Sequence, residues 1–194
     1  MLAPRVVIAE DEAIIRLDLK EMLEEEGYEV VAETGRGDEA VEMVRQHQPD
    51  VAILDIKMPG MDGLTAAREI AGERRAAVLI LTAFSQRHLI DRARDAGALA
   101  YLIKPFQRTD LVPALEMAIG RFVEFQALDG RVRGLEEQLE TRKVVDRAKG
   151  ILMDRDRLSE TDAFTFIQRT AMRERLTMAR IAQQIIDGDL SPEG

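Results

Sequence analysis

Short apolar runs rich in β-branched residues recur through the first half of the chain. Five such runs occupy residues 5–9, 28–32, 51–54, 78–81 and 99–103. The segments between them carry apolar residues at helical spacing, as at Ile15, Leu19 and Leu23. Runs of this length that alternate with helical segments are typical of buried parallel strands. The pattern predicts an α/β fold, a doubly wound parallel sheet of five strands with helices on both faces.

Beyond residue 120 the strand pattern stops and a heptad pattern follows. The apolar residues that recur at alternating spacings of three and four are Phe125, Leu128, Val132, Leu135 and Leu139. This spacing predicts a helix with one apolar seam of roughly three heptads. Two interpretations of the seam stay open: it packs on the chain's own first domain, or it pairs with a second copy in a coiled coil. Interspersed glycines, such as Gly130 and Gly134, weaken a single continuous helix.

The C-terminal part is interpreted as a small domain of three helices. The first helix covers 143–154, and the second begins at Ser159, whose hydroxyl can form a capping box with Asp162. The third begins at Thr177 and ends at Gly188. The predicted division of the chain is a sheet domain at 1–120, a helical linker or coiled coil at 121–141, a helical domain at 142–188 and a tail at 189–194.

Charge is distributed unevenly along the 194 residues. The net charge is -9, which argues against general coating of nucleic acid. Residues 142–180 nevertheless carry more basic than acidic side chains, which leaves room for a docked polyanion. The chain has no cysteine, so disulfides and thiolate zinc sites are excluded. With no apolar stretch of about 18 residues and no secretory leader, we expect a cytoplasmic protein with no membrane partner.

Polar residues of complementary chemistry follow the carboxyl ends of four predicted strands. They are Glu10, Asp11, Asp55, Thr82 and Lys104. Ligands of open α/β sheets bind at that edge, so these side chains should converge on one pocket. Carboxylates suit Mg²⁺, and an aspartate can attack phosphorus to form an acyl phosphate whose oxygens need cationic and hydroxyl partners. Acidic residues there can also simply cap helices, which explains any one of the three carboxylates but poorly explains all five residues together.

Four motifs in this domain carry a family resemblance: 8–12, 54–63, 81–83 and 104–106. Through them, residues 1–120 resemble the receiver domain of two-component response regulators, whose fold is flavodoxin-like. The resemblance implies phosphorylation by a sensor histidine kinase with Mg²⁺ as cofactor. It also implies that the chain is no enzyme beyond the receiver's catalysis of its own phosphorylation and dephosphorylation.

The resemblance assigns roles to individual residues. Asp55 is the implied phosphoacceptor, and the implied metal ligands are Glu10, Asp11, Asp55 and the backbone carbonyl of Lys57. Thr82 and Lys104 are the implied partners of the phosphoryl group, and Tyr101 is the implied aromatic that moves on switching. Glu10 departs from the pattern because many relatives carry aspartate there, and the longer side chain would reach the metal through water.

A second resemblance covers about 142–187 and rests on the segments 147–153, 163–164 and 169–172. These resemble the ANTAR module of antitermination regulators, a helical domain that binds paired RNA hairpins in nascent transcripts. The whole chain resembles actinobacterial receiver–ANTAR regulators. The candidate RNA contacts are Lys143, Arg147, Lys149, Arg169 and Arg173, with Arg142 and Arg180 as further basic residues. Phe164 could stack on bases, but aromatic residues of short bundles are usually core, and we place Phe164 there.

The sequence therefore predicts a response regulator that, once phosphorylated on Asp55, engages structured RNA in transcription antitermination. A phosphorylation-dependent homodimer is compatible with the seam. The main alternative is a phospho-switched signalling adaptor whose helical tail binds protein. A free-standing Mg²⁺ phosphatase is disfavoured because Lys57 stands where a second acid is usual. DNA is an unfavoured partner, since the segment 176–185 resembles only the first half of a helix-turn-helix.

Overall fold

The computed structural model describes residues 3–83 and 87–192, apart from the side chain of Arg133. Its strands are β1 (Arg5–Ala9), β2 (Glu29–Thr34), β3 (Val51–Asp55), β4 (Ala77–Thr82) and β5 (Ala100–Ile103). Every strand pair is parallel, in the order β2-β1-β3-β4-β5. The predicted doubly wound parallel sheet is confirmed.

Seven helices accompany the sheet in the described ranges. They are α1 (Ala13–Glu25), α2 (Gly37–His47), α3 (Gly63–Glu73), α4 (Arg87–Asp95), α5 (Arg108–Arg155), α6 (Glu160–Glu174) and α7 (Met178–Asp187). By their internal contacts, residues divide into a first unit, Met1–Ala127, and a second unit, Leu128–Gly194. Within the two described stretches, none of the helices is long and apolar enough to cross a bilayer.

The first unit has a hydrophobic core on each face of its sheet. Alternate residues of the strands point to opposite faces, so Val7 and Leu54 contribute to one core while Ile8 and Ile53 contribute to the other. Both β3 and β4 are buried along their whole length. The strand order reverses between β1 and β3, which is where such sheets bind ligands. In that position the end of β1 lies beside the end of β3, because Ala9 pairs with Leu54.

The second unit is built around a core shared by the end of α5, α6 and α7. Its buried apolar residues are Val145, Ala148, Leu152, Ala163, Ile167, Ala171, Ile181, Ala182 and Ile185. The predicted cap of α6 is confirmed, since Ser159 Oγ accepts from the Asp162 amide at 3.1 Å. Thr177 caps α7 in the same way through the Arg180 amide. Leu190 of the predicted tail packs on this core, and residues 193–194 lie outside the described residues.

Three details differ from the sequence-based expectations. The prediction of a separate helix at 143–154 is wrong, because those residues form the last turns of the 48-residue α5. Glycine weakens a helix only modestly, so Gly130 and Gly134 do not interrupt it. The prediction that Phe164 lies in the core is also wrong, since its side chain is 41% exposed and is not among the residues of that core. The strand predicted at 28–32 instead spans Glu29–Thr34.

The heptad seam is exposed along α5. Its five side chains, Phe125, Leu128, Val132, Leu135 and Leu139, are between 52% and 66% exposed. A continuous apolar stripe of this kind on a helix is typical of a surface that pairs with another helix.

Candidate functional site

Three carboxylates meet at the edge of the first unit's sheet. Glu10 and Asp11 follow β1, Asp55 ends β3, and one carboxylate oxygen from each lies within 4.8 Å of the others. Glu10 and Asp55 are buried, whereas Asp11 is exposed. The register of β1 against β3 brings these residues together, although they are far apart in sequence. The group is therefore acidic and open to solvent on the Asp11 side.

Lys104 supplies the positive charge of this cluster. Its ammonium lies 2.5 Å from Glu10 Oε2 and 2.9 Å from Asp55 Oδ1. It follows β5, and its amide donates to the carbonyl oxygen of Thr82 at the end of β4. The peptide bond between Lys104 and Pro105 is cis. The lysine therefore bridges the two buried carboxylates.

Burial and neighbouring charges shift the pKa values of this cluster. Burial raises the pKa of Glu10, and the nearby Asp55 carboxylate raises it further, while Lys104 opposes both. Burial alone would lower the pKa of Lys104, but the adjacent Glu10 and Asp55 carboxylates outweigh burial and raise that pKa. Because the lysine stays charged, it compensates negative charge that the site has withdrawn from water.

Backbone groups hold the other oxygen of Asp55 and the end of β3. Asp55 Oδ2 accepts from the Lys57 amide at 3.0 Å. Helix α3 begins against Asp55, since a Cβ at Gly63 would lie 1.8 Å from the Asp55 carbonyl oxygen. Asp62 caps this helix by accepting from the Thr65 amide at 2.7 Å. Gly63 was not predicted as a site residue, although it stands in the turn motif at 54–63.

Thr82 and Tyr101 lie on the neighbouring strands. Thr82 ends β4, is buried and pairs with Ile103 of β5. Tyr101 lies two residues earlier on β5, is half-buried and packs against one of the two cores of the sheet. The threonine is thus in the strand next to Asp55, and the tyrosine is on the strand beyond it.

The donor set fits a magnesium ion. Mg²⁺ takes oxygen ligands and keeps several waters, so two or three carboxylates suffice. Glu10 Oε2 is buried and accepts no well-aligned hydrogen bond from a described residue, despite the nearby ammonium. Next to the carboxylates, a cleft of about 570 Å³ is lined by Asp11, Lys57 and Arg92, among others.

The basic residues proposed for RNA differ in their surroundings. Arg147 and Arg169 are exposed, Lys143 lies 3.4 Å from Glu140, and Arg173 lies 2.9 Å from Glu174. These pairs are exposed and therefore weak, so the cations can exchange partners with a phosphate. Arg142 and Arg180 are exposed as well.

Lys149 is held differently from those cations. Its side chain is only 15% exposed and lies 2.8 Å from Asp146 and 2.9 Å from Glu160. These two ion pairs raise the pKa of Lys149. Glu160 starts α6, so the lysine connects that helix to α5. Its surroundings suit a residue that positions two helices.

Comparison with known families agrees with the two units. The model of the response regulator receiver domain matches residues 6–116, and that of the ANTAR domain matches residues 133–186. The chain belongs to the response regulators that join a receiver domain to an ANTAR domain. It is 58% identical over 183 residues to the transcriptional regulatory protein PdtaR of Mycobacterium tuberculosis, which covers 94% of this chain and 89% of PdtaR.

Solved structures resemble the first unit. The receiver domain of the putative response regulator NarL from M. tuberculosis matches with a TM-score of 0.60 and 31% identity. The match covers 62% of this chain and 98% of that receiver-domain chain. The receiver domain of the sensor histidine kinase PA1611 from Pseudomonas aeruginosa matches with a TM-score of 0.55 and 30% identity, covering 61% and 98%. In that structure a magnesium ion is coordinated in the active site cleft.

Proposed function

We propose that this response regulator is phosphorylated on Asp55 by a sensor histidine kinase and then binds hairpins in nascent transcripts to cause antitermination in the cytoplasm. The observation that carries the proposal is the Asp55 carboxylate, which lies between the Lys104 ammonium and the Lys57 amide beside two further carboxylates. That arrangement serves a phosphoacceptor, and the chain joins it to an ANTAR domain.

The chemistry follows from these neighbours. An Asp55 oxygen attacks phosphorus, the bond from phosphorus to the donor's histidine nitrogen breaks, and that nitrogen keeps the electron pair. Glu10, Asp11, Asp55 and the Lys57 carbonyl would hold Mg²⁺, which would supply positive charge to neutralise the phosphoryl oxygens. Lys104 stabilises the same oxygens by direct charge, and it is already within hydrogen-bonding distance of Asp55.

Switching uses Thr82 and Tyr101. The hydroxyl of Thr82, at the end of the strand beside Asp55, moves toward the phosphoryl group. Tyr101 then follows into the space that Thr82 leaves. Phosphorylation thus shifts an equilibrium between two arrangements of the receiver by stabilising one of them. The output is a change in what the second unit can bind.

In the second unit, exposed cations contact the RNA backbone. Arg147 and Arg169 are exposed, and the ion pairs of Lys143 and Arg173 with described residues are exposed as well. These four cations can therefore meet phosphates near a hairpin loop. Lys149 contributes by holding α5 against α6 through Asp146 and Glu160. Its replacement is therefore expected to weaken RNA binding through the position of these helices.

The RNA function is tested with full-length protein and RNAs that carry two hairpins with randomised loops. After phosphorylation with Mg²⁺ present, selected RNAs should bind about tenfold more tightly, the size of a typical coupling between two sites. Affinity should fall steeply with salt, because phosphate contacts release counterions. If the phosphorylated chain selects no RNA but captures a protein with little salt dependence, the adaptor alternative is correct.

The exposed seam of α5 is proposed as the contact of a phosphorylation-dependent homodimer. Leu135→Lys places a charge at the centre of the stripe in both copies. Losing two buried leucines should weaken the dimer by about 100-fold. Light scattering of the phosphorylated chain measures this. Gln126→Lys adds the same charge on an exposed position off the stripe and should leave the dimer intact; equal loss in both variants would contradict the seam as the interface.

A further inference from the structure

A second concave surface lies wholly within the second unit. It is a cleft of about 640 Å³ between the second half of α5 and the N-terminal parts of α6 and α7. Its lining residues are Gly134, Glu137, Gln138, Thr141, Arg142, Val145, Asp146, Lys149, Phe164 and Met178. None of these belongs to the seam, so the cleft and the seam are separate surfaces of α5.

Phe164 is the aromatic residue of this cleft, and its exposure is unusual. It is 41% exposed, whereas Ala163 and Ile167 on the same helix are fully buried in the core. Phe166 packs against that core, so the bundle already has its aromatic contact. An exposed phenyl ring in a concave surface offers one flat apolar face to a ligand.

The polar lining limits what the ligand can be. Gln138 and Thr141 offer hydrogen-bond donors and acceptors of the kind that match base edges. The charged lining is mixed: Glu137 and Asp146 are acidic, while Lys149 and Arg142 lie 2.8 and 3.9 Å from Asp146. A phosphate would compete with Asp146 for these two cations and would approach Glu137 at a cost, whereas a neutral planar group would not.

We propose that this cleft holds one unstacked nucleobase of a single-stranded RNA loop, with the base stacked on Phe164. The inference rests on the proposed RNA binding of this unit and adds the residue that contacts a base. Proteins read RNA mainly at loops whose bases can be splayed out onto aromatic rings. Phosphates stay outside the cleft, near exposed arginines such as Arg147 and Arg169.

The experiment is a double-mutant cycle between the protein and the RNA. An RNA selected by the full-length phosphorylated chain is remade with one abasic nucleotide at each loop position in turn. At one position the lost base should weaken binding to the native chain by about tenfold, as expected for a stacked base. With Phe164→Leu, the same abasic change should cost less than about twofold, because the stacking partner is already gone.

Two further variants separate stacking from folding. Phe166→Leu removes the neighbouring aromatic that packs on the core, so it should lower the Tm. It should not reduce the cost of the abasic change at any particular loop position. Phe164→Leu should leave the Tm nearly unchanged. The chain contains no tryptophan, so Phe164→Trp introduces a single tryptophan, whose emission can be followed apart from that of the tyrosines. It should restore tight binding, and its emission should change on adding the intact RNA but not the RNA with the critical base removed.

Each outcome decides between explanations. If the chain selects no RNA, the proposed function fails and takes this inference with it. If an RNA is selected but abasic changes and Phe164→Leu add independently at every position, RNA binding stands and the base site is rejected. If Phe164→Leu instead weakens the dimer and leaves RNA affinity unchanged, the cleft belongs to a second copy of the chain.

Discussion

Asp55→Asn is expected to abolish phosphoryl transfer to the chain. The amide cannot attack phosphorus as a carboxylate does, and no stable acyl phosphate can form on it. The intact protein, incubated with a phosphodonor and Mg²⁺, should gain the mass of one phosphoryl group in the native chain and none in the variant. Mass measurement suits this test because acyl phosphates do not survive harsh handling.

A matched control is Asp62→Asn. Asp62 lies seven residues further on and caps α3 through the Thr65 amide, a role that asparagine also fills. This variant should be phosphorylated as the native chain is. Phosphoryl mass that persists in Asp55→Asn would refute the assignment of Asp55. Treatment with the phosphodonor should also tighten RNA binding by the native chain. The RNA affinity of Asp55→Asn should stay at the value of the unphosphorylated chain.

Lys104→Met should destabilise the first unit by about 3 kcal/mol, the scale expected when one partner of a buried ion pair is removed. Glu10 and Asp55 would then face each other without their common ammonium, which now lies 2.5 and 2.9 Å from them. Mg²⁺ should restore more stability to the variant than to the native chain, because the site has become more negative. Urea unfolding with and without Mg²⁺ measures both effects.

The pH dependence of Lys104→Met has a definite sign. Without the lysine, the carboxyl of Glu10 loses a partner that lowers its pKa, so that pKa rises further above its ordinary value. A carboxyl whose pKa is raised by folding stabilises the fold below its ordinary pKa, and this contribution is lost as the pH rises through the raised value. The destabilisation should therefore be greater at neutral pH than in mild acid.

The control for this variant is Lys149→Met. Lys149 also bridges two carboxylates, Asp146 and Glu160, but those carboxylates are exposed and water can solvate them. Its loss should change stability little and should not depend on Mg²⁺. Equal effects of Mg²⁺ on both variants would show that the ion does not bind at the cluster of Glu10, Asp11 and Asp55.

Much of the fold could be predicted because buried parallel strands differ from helices in length and in composition. The runs around Val51 and Val78 are continuous and apolar since both faces of the sheet are covered. The convergence of Asp55 with Glu10 and Lys104 at one edge follows from the parallel direction of the strands. Because parallel strands all end at the same edge of the sheet, recognising the strands from their local pattern was sufficient to place these residues together.

Other features depended on packing that no local pattern reports. Sequence alone could not show whether glycines would break α5, because a small local cost can be outweighed by neighbouring turns. Sequence analysis placed Phe164 in the core because aromatic residues of short helical bundles are usually buried. In the structure, alanines and isoleucines of α6 and α7 occupy that core instead. Sequence analysis also could not show that Asp146 and Glu160 lie 2.8 and 2.9 Å from the Lys149 ammonium, and the role of Lys149 as an RNA contact stays a prediction.

The sequence by itself determined the order of the strands and helices, the residue types at the sheet edge and the family to which they point. These follow from periodicity and from side-chain chemistry, which are local. Only the tertiary structure decided that Lys104 bridges Glu10 and Asp55, that Gly63 must lack a side chain against Asp55, and that Phe164 faces a cleft. Those outcomes depend on distances of a few ångströms between segments far apart in the chain, and such distances are set by how the whole core packs.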